Sequence, residues 1–301
     1  MSSAAVERGP VRALISAMRP VQWLKNILIG VAPAAAGVAT RPDIVRHTGA
    51  AVLCFCALSS AVYLLNDVMD LEADRRHPDK RHRALAAGQL SPRVALGAAA
   101  VLALIAYLIP LALWQPEGLY LIMSLYLGIH VAYSLGLKHV AVIELGAVAA
   151  GFFLRAYAGA AADHIGVSSW FLVVIGFGAL FVVVGKRSSE LRHVGAGRAR
   201  RVLADYSPEF LHSALTMSAT VVVTTYCLWA FDTSSGGLSL ARHHIVPVRL
   251  TVIPVAYAIL YVMRAAEGPQ GQSPEDLLAR NHTVQILGAI WAALLWIGIY
   301  A

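Results

Sequence analysis

Long apolar segments recur along the whole chain, and short polar segments separate them. Two of the apolar segments, 94–113 and 170–184, contain no Asp, Glu, Lys or Arg. An apolar run of about 18 or more residues is long enough to cross the hydrocarbon core of a bilayer as a helix. The pattern therefore predicts an all-α, polytopic membrane bundle of about nine transmembrane helices. The predicted spans are 20–40, 48–66, 94–114, 118–137, 141–162, 168–185, 210–231, 245–264 and 283–301.

Composition argues against a large soluble protein that merely contains buried helices. Hydrophobic residues make up 58% of the chain and charged residues only 14%, whereas a soluble domain has about 25% charged residues. The formal net charge of +7 would suit a nucleic-acid partner. In a membrane protein, basic loops that stay in the cytoplasm explain the same charge, so we expect the lipid bilayer and no nucleic acid as partner.

The distribution of positive charge orients the predicted bundle. When the N-terminus is placed in the cytoplasm, 19 of the 24 Lys and Arg lie on that side, and such a bias sets the orientation of a membrane protein. We therefore expect a multi-pass protein of the plasma (inner) membrane, with a cytoplasmic N-terminus and an outer C-terminus. The placement of the spans also indicates one domain, 1–301, made of two four-helix halves, 20–137 and 141–264, and a ninth helix, 283–301.

Four polar side chains lie together at the end of the second predicted span. On a helix, Asn66, Asp67, Asp70 and Asp74 fall within an arc of about 100°. Carboxylates on one face repel each other unless a cation lies against them, and Mg²⁺ binds carboxylate oxygens together with substrate phosphates. The motif predicts a magnesium site with the three Asp as ligands. A solvated helix end with ordinary surface acids is the alternative.

The residues that follow this motif are basic. The run 77–83 contains Lys80, Arg81 and Arg83, and such a cluster binds phosphate groups that carboxylates alone would repel. A loop that contacts anionic lipid is the alternative. Acids and bases together predict a site for magnesium and phosphate groups at the cytoplasmic membrane face.

The motif at 66–74, the basic run after it and the nine-helix plan resemble the UbiA superfamily of intramembrane transferases. The resemblance implies that Mg²⁺ is chelated against a pyrophosphate leaving group. Segments 19–26, 133–139, 151–156 and 185–191 resemble the branch of the superfamily that transfers phosphoribose to decaprenyl phosphate. This likeness runs from about residue 19 to the end of the chain.

The resemblance to this branch implies both substrates. The implied donor is 5-phosphoribosyl 1-pyrophosphate and the implied acceptor is a polyprenyl (decaprenyl) phosphate, with a product that serves cell-wall arabinan synthesis. Prenyl-transferring relatives usually carry a second Asp-rich motif where this chain has Lys186, Arg187 and Glu190, and more cations suit a site that holds more phosphate groups. The chain also has Ala84 where the superfamily usually has Pro. Implied catalytic residues are Asp67, Asp70, Asp74 and Lys186, and implied substrate-binding residues include Asn66, Lys80, Arg81, Arg83, Arg187 and Glu190.

Further substrate-binding candidates also have a structural interpretation. Gln22 and Lys25 begin the first span, where they border the donor site or act as an interfacial anchor. Tyr133 and Lys138 end the fourth span, and Lys138 binds substrate or only snorkels to the interface. Lys186 and Glu190 bind ligands or pair with each other at i, i+4. Arg155 lies in an apolar span, where it holds a phosphate or a structural partner in the bundle interior.

Two rival functions remain open at this stage. A prenyltransferase that moves a polyprenyl chain from its pyrophosphate to an aromatic or haem acceptor shares the fold and the metal. A transporter needs polar residues through the membrane depth, whereas here they cluster at one face. A homo-oligomer is compatible with the sequence.

Overall fold

The computed structural model describes residues 9–114, 116–194, 201–232, 244–267, 277 and 281–301, and every regular element within these ranges is helical. The prediction of an all-α fold is therefore confirmed. The α-helices are α1 (Pro10–Met18), α2 (Val31–Ala35), α3 (Pro42–Met69), α4 (Leu71–Arg76), α5 (Pro92–Leu113), α6 (Glu117–Leu135), α7 (Ile143–Ala162), α8 (Ser169–Val194), α9 (Pro208–Phe231), α10 (Ile245–Leu250), α11 (Val252–Glu267) and α12 (His282–Tyr300). The 3₁₀ helices are Pro20–Gly30, Lys80–His82, Leu137–His139 and Arg201–Asp205.

Eight helices in the described part of the chain are long and apolar enough to cross a membrane. They match the second to ninth predicted spans, with α10 and α11 together forming the eighth. Local sequence explains where three of them begin. The side chains of Ser91, Ser207 and Asn281 accept hydrogen bonds from backbone N–H groups three residues further on, which satisfies donors that have no partner inside a helix.

The first predicted span, 20–40, differs from the prediction of a regular transmembrane helix. It is the 3₁₀ helix Pro20–Gly30 followed by the short helix α2. Pro33 has no N–H to donate to the carbonyl of Ile29, four residues earlier. That carbonyl lies against α7, where a Cβ on Gly159 would be only 1.9 Å from the Ile29 oxygen. The missing proline donor and the close approach of Ile29 to Gly159 together favour an irregular first span.

This irregular segment still reaches from one end of the bundle to the other. Eleven residues of 3₁₀ helix and five of α-helix extend roughly 30 Å, which is the thickness of a hydrocarbon core. Arg19, before the segment, forms an ion pair with Asp67 near the end of α3. Ala34, at its other end, accepts a hydrogen bond of 3.0 Å from the Tyr300 hydroxyl at the end of α12. The end of α12 therefore lies opposite the acidic motif.

The two largest clusters of buried apolar side chains in the described part of the chain lie on either side of α7. One joins the Pro20–Gly30 segment with α3, α5, α6 and α7, around Phe55 and Tyr126. The other joins α7, α8, α9 and α11, around Phe181 and Leu215. Helix α7 contributes to both clusters, so it connects the two regions. The division into halves at 20–137 and 141–264 stays a prediction.

Candidate active site

The acidic motif lies where α3 ends and α4 begins. Asp70 stands between the two helices, and its backbone N–H donates to the Asn66 carbonyl at 2.9 Å while its own carbonyl accepts from the Asp74 N–H at 2.8 Å. Helical spacing thus continues through the junction and keeps the three Asp on one side. Asp67 and Asp74 are each only 3% exposed, whereas Glu72 points away and pairs with Arg75 in solvent.

Arg83 connects two of these carboxylates. Its Nη1 lies 2.7 Å from an Asp74 oxygen and 3.3 Å from an Asp67 oxygen. The loop that carries it is anchored by Ala84 and Leu85, which are buried against α1 and α5. Since Ala84 fills an apolar position, its presence in place of Pro is compatible with the placement of Arg83 on the acids.

Arg19 approaches the same carboxylate from outside the motif. Its guanidinium forms an ion pair with Asp67 and lies 4.8 Å from the centre of the Tyr63 ring. Arg19 ends α1 with a left-handed backbone (φ 54°), and Pro20 disfavours the α conformation of the residue before it. Sequence reasoning did not include Arg19 among the site residues, although this Arg-Pro pair marks the start of the first span.

Residues at the end of α6 and just after it contact Asn66 and Asp70. Lys138 forms an ion pair with Asp70. Asn66 donates to Asp70 at 3.1 Å and accepts from the Ser134 hydroxyl at 3.2 Å. Asn66, Asp70 and Lys138 were each predicted from sequence as site residues, and these contacts join them in one network.

A second charged group joins α7 and α8. Arg187 donates to both Glu144 oxygens at 2.8 and 2.7 Å and to Glu190 at 2.8 Å. Arg187 is 4% exposed and Glu144 is fully buried. Glu190 thus accepts from Arg187 at i, i+3, while pairing with Lys186 at i, i+4 and ligand binding by these residues both stay predictions. Glu144 was not among the predicted site residues, although an acid at the start of an apolar span was its signal.

Both groups lie at the same end of the bundle. Lys138, which contacts Asp70, precedes Glu144 by six residues, and the Leu137–His139 helix packs on Arg201–Asp205. The Val142 N–H donates to the Tyr206 hydroxyl at 2.7 Å, and burial raises the pKa of Tyr206. The half-buried Lys186 is next to Arg187 on α8, so this charged part of α8 lies at the same end of the bundle as the acidic motif.

Other predicted site residues occupy different surroundings. Arg81 is exposed beside His82, and Lys80 is half-buried. Gln22 is half-buried, and the Lys25 ammonium lies 5.3 Å from the centre of the Phe152 ring. Tyr133 is close enough to Arg187 to interact with it electrostatically.

Arg155 lies in a buried polar network deeper in the bundle. It donates to Asn26 at 2.8 Å, to the Gly151 carbonyl at 2.8 Å and to the Tyr126 hydroxyl at 2.6 Å. These bonds join the irregular first span to α6 and α7. They support the structural interpretation of Arg155 rather than phosphate binding.

The donor atoms of the acidic motif fit a magnesium ion in their chemistry. Asp67, Asp70 and Asp74 offer carboxylate oxygens, and Mg²⁺ prefers oxygen ligands. Among the described residues, no three His, Cys, Asp or Glu side chains are grouped so that they could hold a metal ion. Each of the three carboxylates contacts a cationic side chain.

Comparisons with known proteins agree with this architecture. The sequence matches the UbiA prenyltransferase family over residues 27–284. It is 37% identical over 299 residues to the decaprenyl-phosphate phosphoribosyltransferase of Mycolicibacterium smegmatis, covering 96% of this chain and 93% of that one. It is 38% identical over 304 residues to the protein of the same name from Mycobacterium tuberculosis, covering 97% of each chain.

Two solved structures share the fold. One is a UbiA homologue from Archaeoglobus fulgidus bound to DMAPP and Mg²⁺, with a TM-score of 0.69, 19% sequence identity and coverage of 94% of this chain and 99% of that chain. The other is a structure of digeranylgeranylglyceryl phosphate synthase, with a TM-score of 0.65, 13% identity and coverage of 96% and 98%.

Proposed function

The chain belongs to the UbiA prenyltransferase family, and on that premise we propose that it transfers 5-phosphoribose from 5-phosphoribosyl 1-pyrophosphate to a polyprenyl phosphate such as decaprenyl phosphate. The product is a polyprenylphosphoryl-5-phosphoribose, which serves cell-wall arabinan synthesis. The observation that carries this proposal is the similarity, over nearly the whole chain, to phosphoribosyltransferases that use decaprenyl phosphate. The site contributes a second argument, because its acids and cations suit a metal together with several phosphate groups.

We assign the donor pyrophosphate to the acidic motif and its cations. Asp67 and Asp70, with Asp74 beside them, hold Mg²⁺, which when bound neutralises charge on the pyrophosphate leaving group. Lys80, Arg81 and Arg83 supply donors to the phosphate oxygens from the loop. Asn66 and Ser134 orient Asp70, since both belong to its hydrogen-bond network.

The second charged group positions Lys186 for the remaining phosphates. Arg187 has its donors engaged by Glu144 and Glu190, so it holds α8 against α7 rather than reaching far into solution. Lys186 on the neighbouring position then lies at the mouth of the site. Gln22, Lys25, Tyr133 and Lys138 border the same region from the first and fourth spans.

The chemical step needs no general base from the protein. A phosphate monoester is already largely ionised near pH 7, so an oxygen of the polyprenyl phosphate attacks C1 of the ribose directly. The C1–O bond to pyrophosphate breaks as the new C1–O bond forms, and pyrophosphate leaves. The task of this chain's residues is to hold donor and acceptor in line and to stabilise the charge that develops on the leaving group.

An open apolar groove between α7 and α8 fits a lipid acceptor. It has a volume of about 370 Å³ and is lined by Phe153, Leu172, Gly176, Phe177 and their neighbours. Gly176 lies ten residues before Lys186 on α8, which corresponds to about 15 Å along the helix. A polyprenyl tail in this groove would bring its phosphate toward the charged end of the bundle.

We propose a plasma-membrane location with the N-terminus and the active site in the cytoplasm and the C-terminus outside. The excess of Lys and Arg at the end that carries the acidic motif supports this orientation. A water-soluble donor is then supplied from the cytoplasm, whereas the lipid acceptor reaches the site within the bilayer. A homo-oligomer remains compatible with this arrangement.

A direct competition tests the proposed function. Purified protein in nanodiscs is given Mg²⁺, radiolabelled phosphoribosyl pyrophosphate and a polyprenyl pyrophosphate, with decaprenyl phosphate and hydroxybenzoate as acceptors, and the lipid product is identified by mass. We expect a phosphoribosylated lipid. A prenylated hydroxybenzoate with no ribosylated lipid would place the chain among the prenyl-transferring members of the family.

A further inference from the structure

Each carboxylate of the acidic motif has a cationic partner in this structure. Arg19 contacts Asp67, Arg83 contacts Asp67 and Asp74, and Lys138 contacts Asp70. Within these contacts, three positive charges balance three negative ones. The acidic motif is therefore electrically neutral before any metal or substrate is bound.

This charge balance between the carboxylates and their cationic partners affects which ligand the site binds. A bare divalent cation would add two positive charges to a buried, neutral cluster and would have to displace side chains that already contact the carboxylates, both of which oppose binding. A metal that arrives with pyrophosphate brings negative charge as well, so the displaced Arg and Lys side chains gain new partners. The metal–pyrophosphate complex is thus favoured over the metal alone.

Arg19 is the cation best placed for such an exchange. It reaches Asp67 from a segment 48 residues away in sequence, and its side chain is 27% exposed while that of Asp67 is 3% exposed. Arg83, in contrast, contacts Asp67 on α3 and Asp74 on α4 from the loop that follows them. The planar guanidinium forms paired hydrogen bonds to carboxylate and to phosphate with similar geometry, so one side chain can serve both partners.

We propose that Arg19 occupies the metal's position at Asp67 in the empty enzyme and moves to a pyrophosphate oxygen when the metal–donor complex binds. Arg19 thereby excludes the bare metal and binds the loaded donor. Lys138 likewise occupies the metal's position at Asp70 and moves to a pyrophosphate oxygen when the complex binds. This inference rests on the part of the proposed function that assigns a magnesium–pyrophosphate site, and it holds for either choice of donor.

The proposal predicts opposite effects of one substitution on two ligands. In Arg19→Gln, Asp67 loses a competing cation, so Mn²⁺, which like Mg²⁺ accepts oxygen ligands, should bind roughly tenfold more tightly without donor. Inorganic pyrophosphate in the presence of Mg²⁺ should bind roughly tenfold more weakly, within the usual range of such couplings. A residue that only supports the fold would weaken both.

The experiment uses the full-length protein in nanodiscs. Free Mn²⁺ is titrated by electron paramagnetic resonance, and pyrophosphate binding is measured by calorimetry. Arg75→Gln is the matched control. Its exposed pair with Glu72 lies on α4 beside the acidic motif, and both affinities should stay unchanged. Lys138→Gln repeats the test at Asp70 and keeps the proposal testable if Arg19→Gln does not fold.

The outcomes are distinct. Tighter Mn²⁺ binding together with weaker pyrophosphate binding supports the exchange. Mn²⁺ affinity that is unchanged or lower, or pyrophosphate affinity that is undiminished, overturns it. Because neither measurement uses phosphoribose or lipid, failure of the proposed phosphoribosyl transfer is detected separately by the product analysis.

Discussion

The buried ion pair between Arg187 and Glu144 permits a quantitative prediction that joins stability to function. Arg187 donates two hydrogen bonds to Glu144, at 2.8 and 2.7 Å. The two side chains are 4% and 0% exposed, so neither can be solvated when its partner is removed. Removing one member of such a pair leaves an uncompensated buried charge, which costs about 3–5 kcal/mol.

Glu144→Ala should therefore lower the free energy of unfolding by about 3–5 kcal/mol. Glu190 remains as a partner at 2.8 Å, which favours the lower end of this range. The double variant Glu144→Leu with Arg187→Met removes both charges and should recover most of the loss, since apolar replacements of similar volume are often neutral or stabilising. Unfolding in mixed micelles with increasing SDS measures all three proteins.

The same double variant separates stability from substrate binding. If the ion pair positions Lys186, restoring stability with apolar residues should still leave the KM for the donor raised several-fold. Glu72→Gln is a suitable control, because it breaks an exposed pair with Arg75 and exposed pairs contribute little, about 0–1 kcal/mol. A Glu144→Ala protein within about 1 kcal/mol of the wild type would refute the magnitude derived from burial. A stable double variant with an unchanged donor KM would refute the positioning role.

Three further predictions concern the acids, Lys186 and the first span. Asp67→Asn or Asp70→Asn should abolish turnover in a protein that is still folded and membrane-inserted; a near wild-type rate at limiting Mg²⁺ would show that the metal site is wrongly assigned. Lys186→Ala should raise the donor KM more than Arg93→Ala, a change at the exposed start of α5. Steady-state kinetics with varied donor concentration measures the KM of both variants, and equal values would refute a role of Lys186 in donor binding. Gly159→Ala should destabilise the bundle by about 1–3 kcal/mol, since its Cβ would lie 1.9 Å from the Ile29 oxygen. Gly146→Ala on the same helix is the control, because its Cβ would meet no atom within 4 Å and the change should be tolerated. The SDS titration measures both variants.

The helices and the acidic motif could be read from the sequence because their causes are local. Eight of the predicted spans match observed helices, since the length of an apolar run and the caps at Ser91, Ser207 and Asn281 are contained in the segment itself. The common face of Asp67, Asp70 and Asp74 follows from helical spacing alone. The assignment of these residues to a magnesium–pyrophosphate site stays a prediction.

The partners of those residues depend on packing between distant segments. Nothing near Asp67 in sequence indicates Arg19, and nothing near Arg187 indicates Glu144, which is 43 residues away. The irregular first span has a partly local cause in Pro33, but its position also needs Gly159 on α7, where a side chain would collide with Ile29. Thus the sequence by itself determined the membrane class, eight of the nine spans and the arc of carboxylates, because short-range periodicity carries that information. Only the tertiary structure decided which cation neutralises which acid, because in a low-dielectric interior every buried charge needs a partner and the fold selects it among residues far apart in the chain.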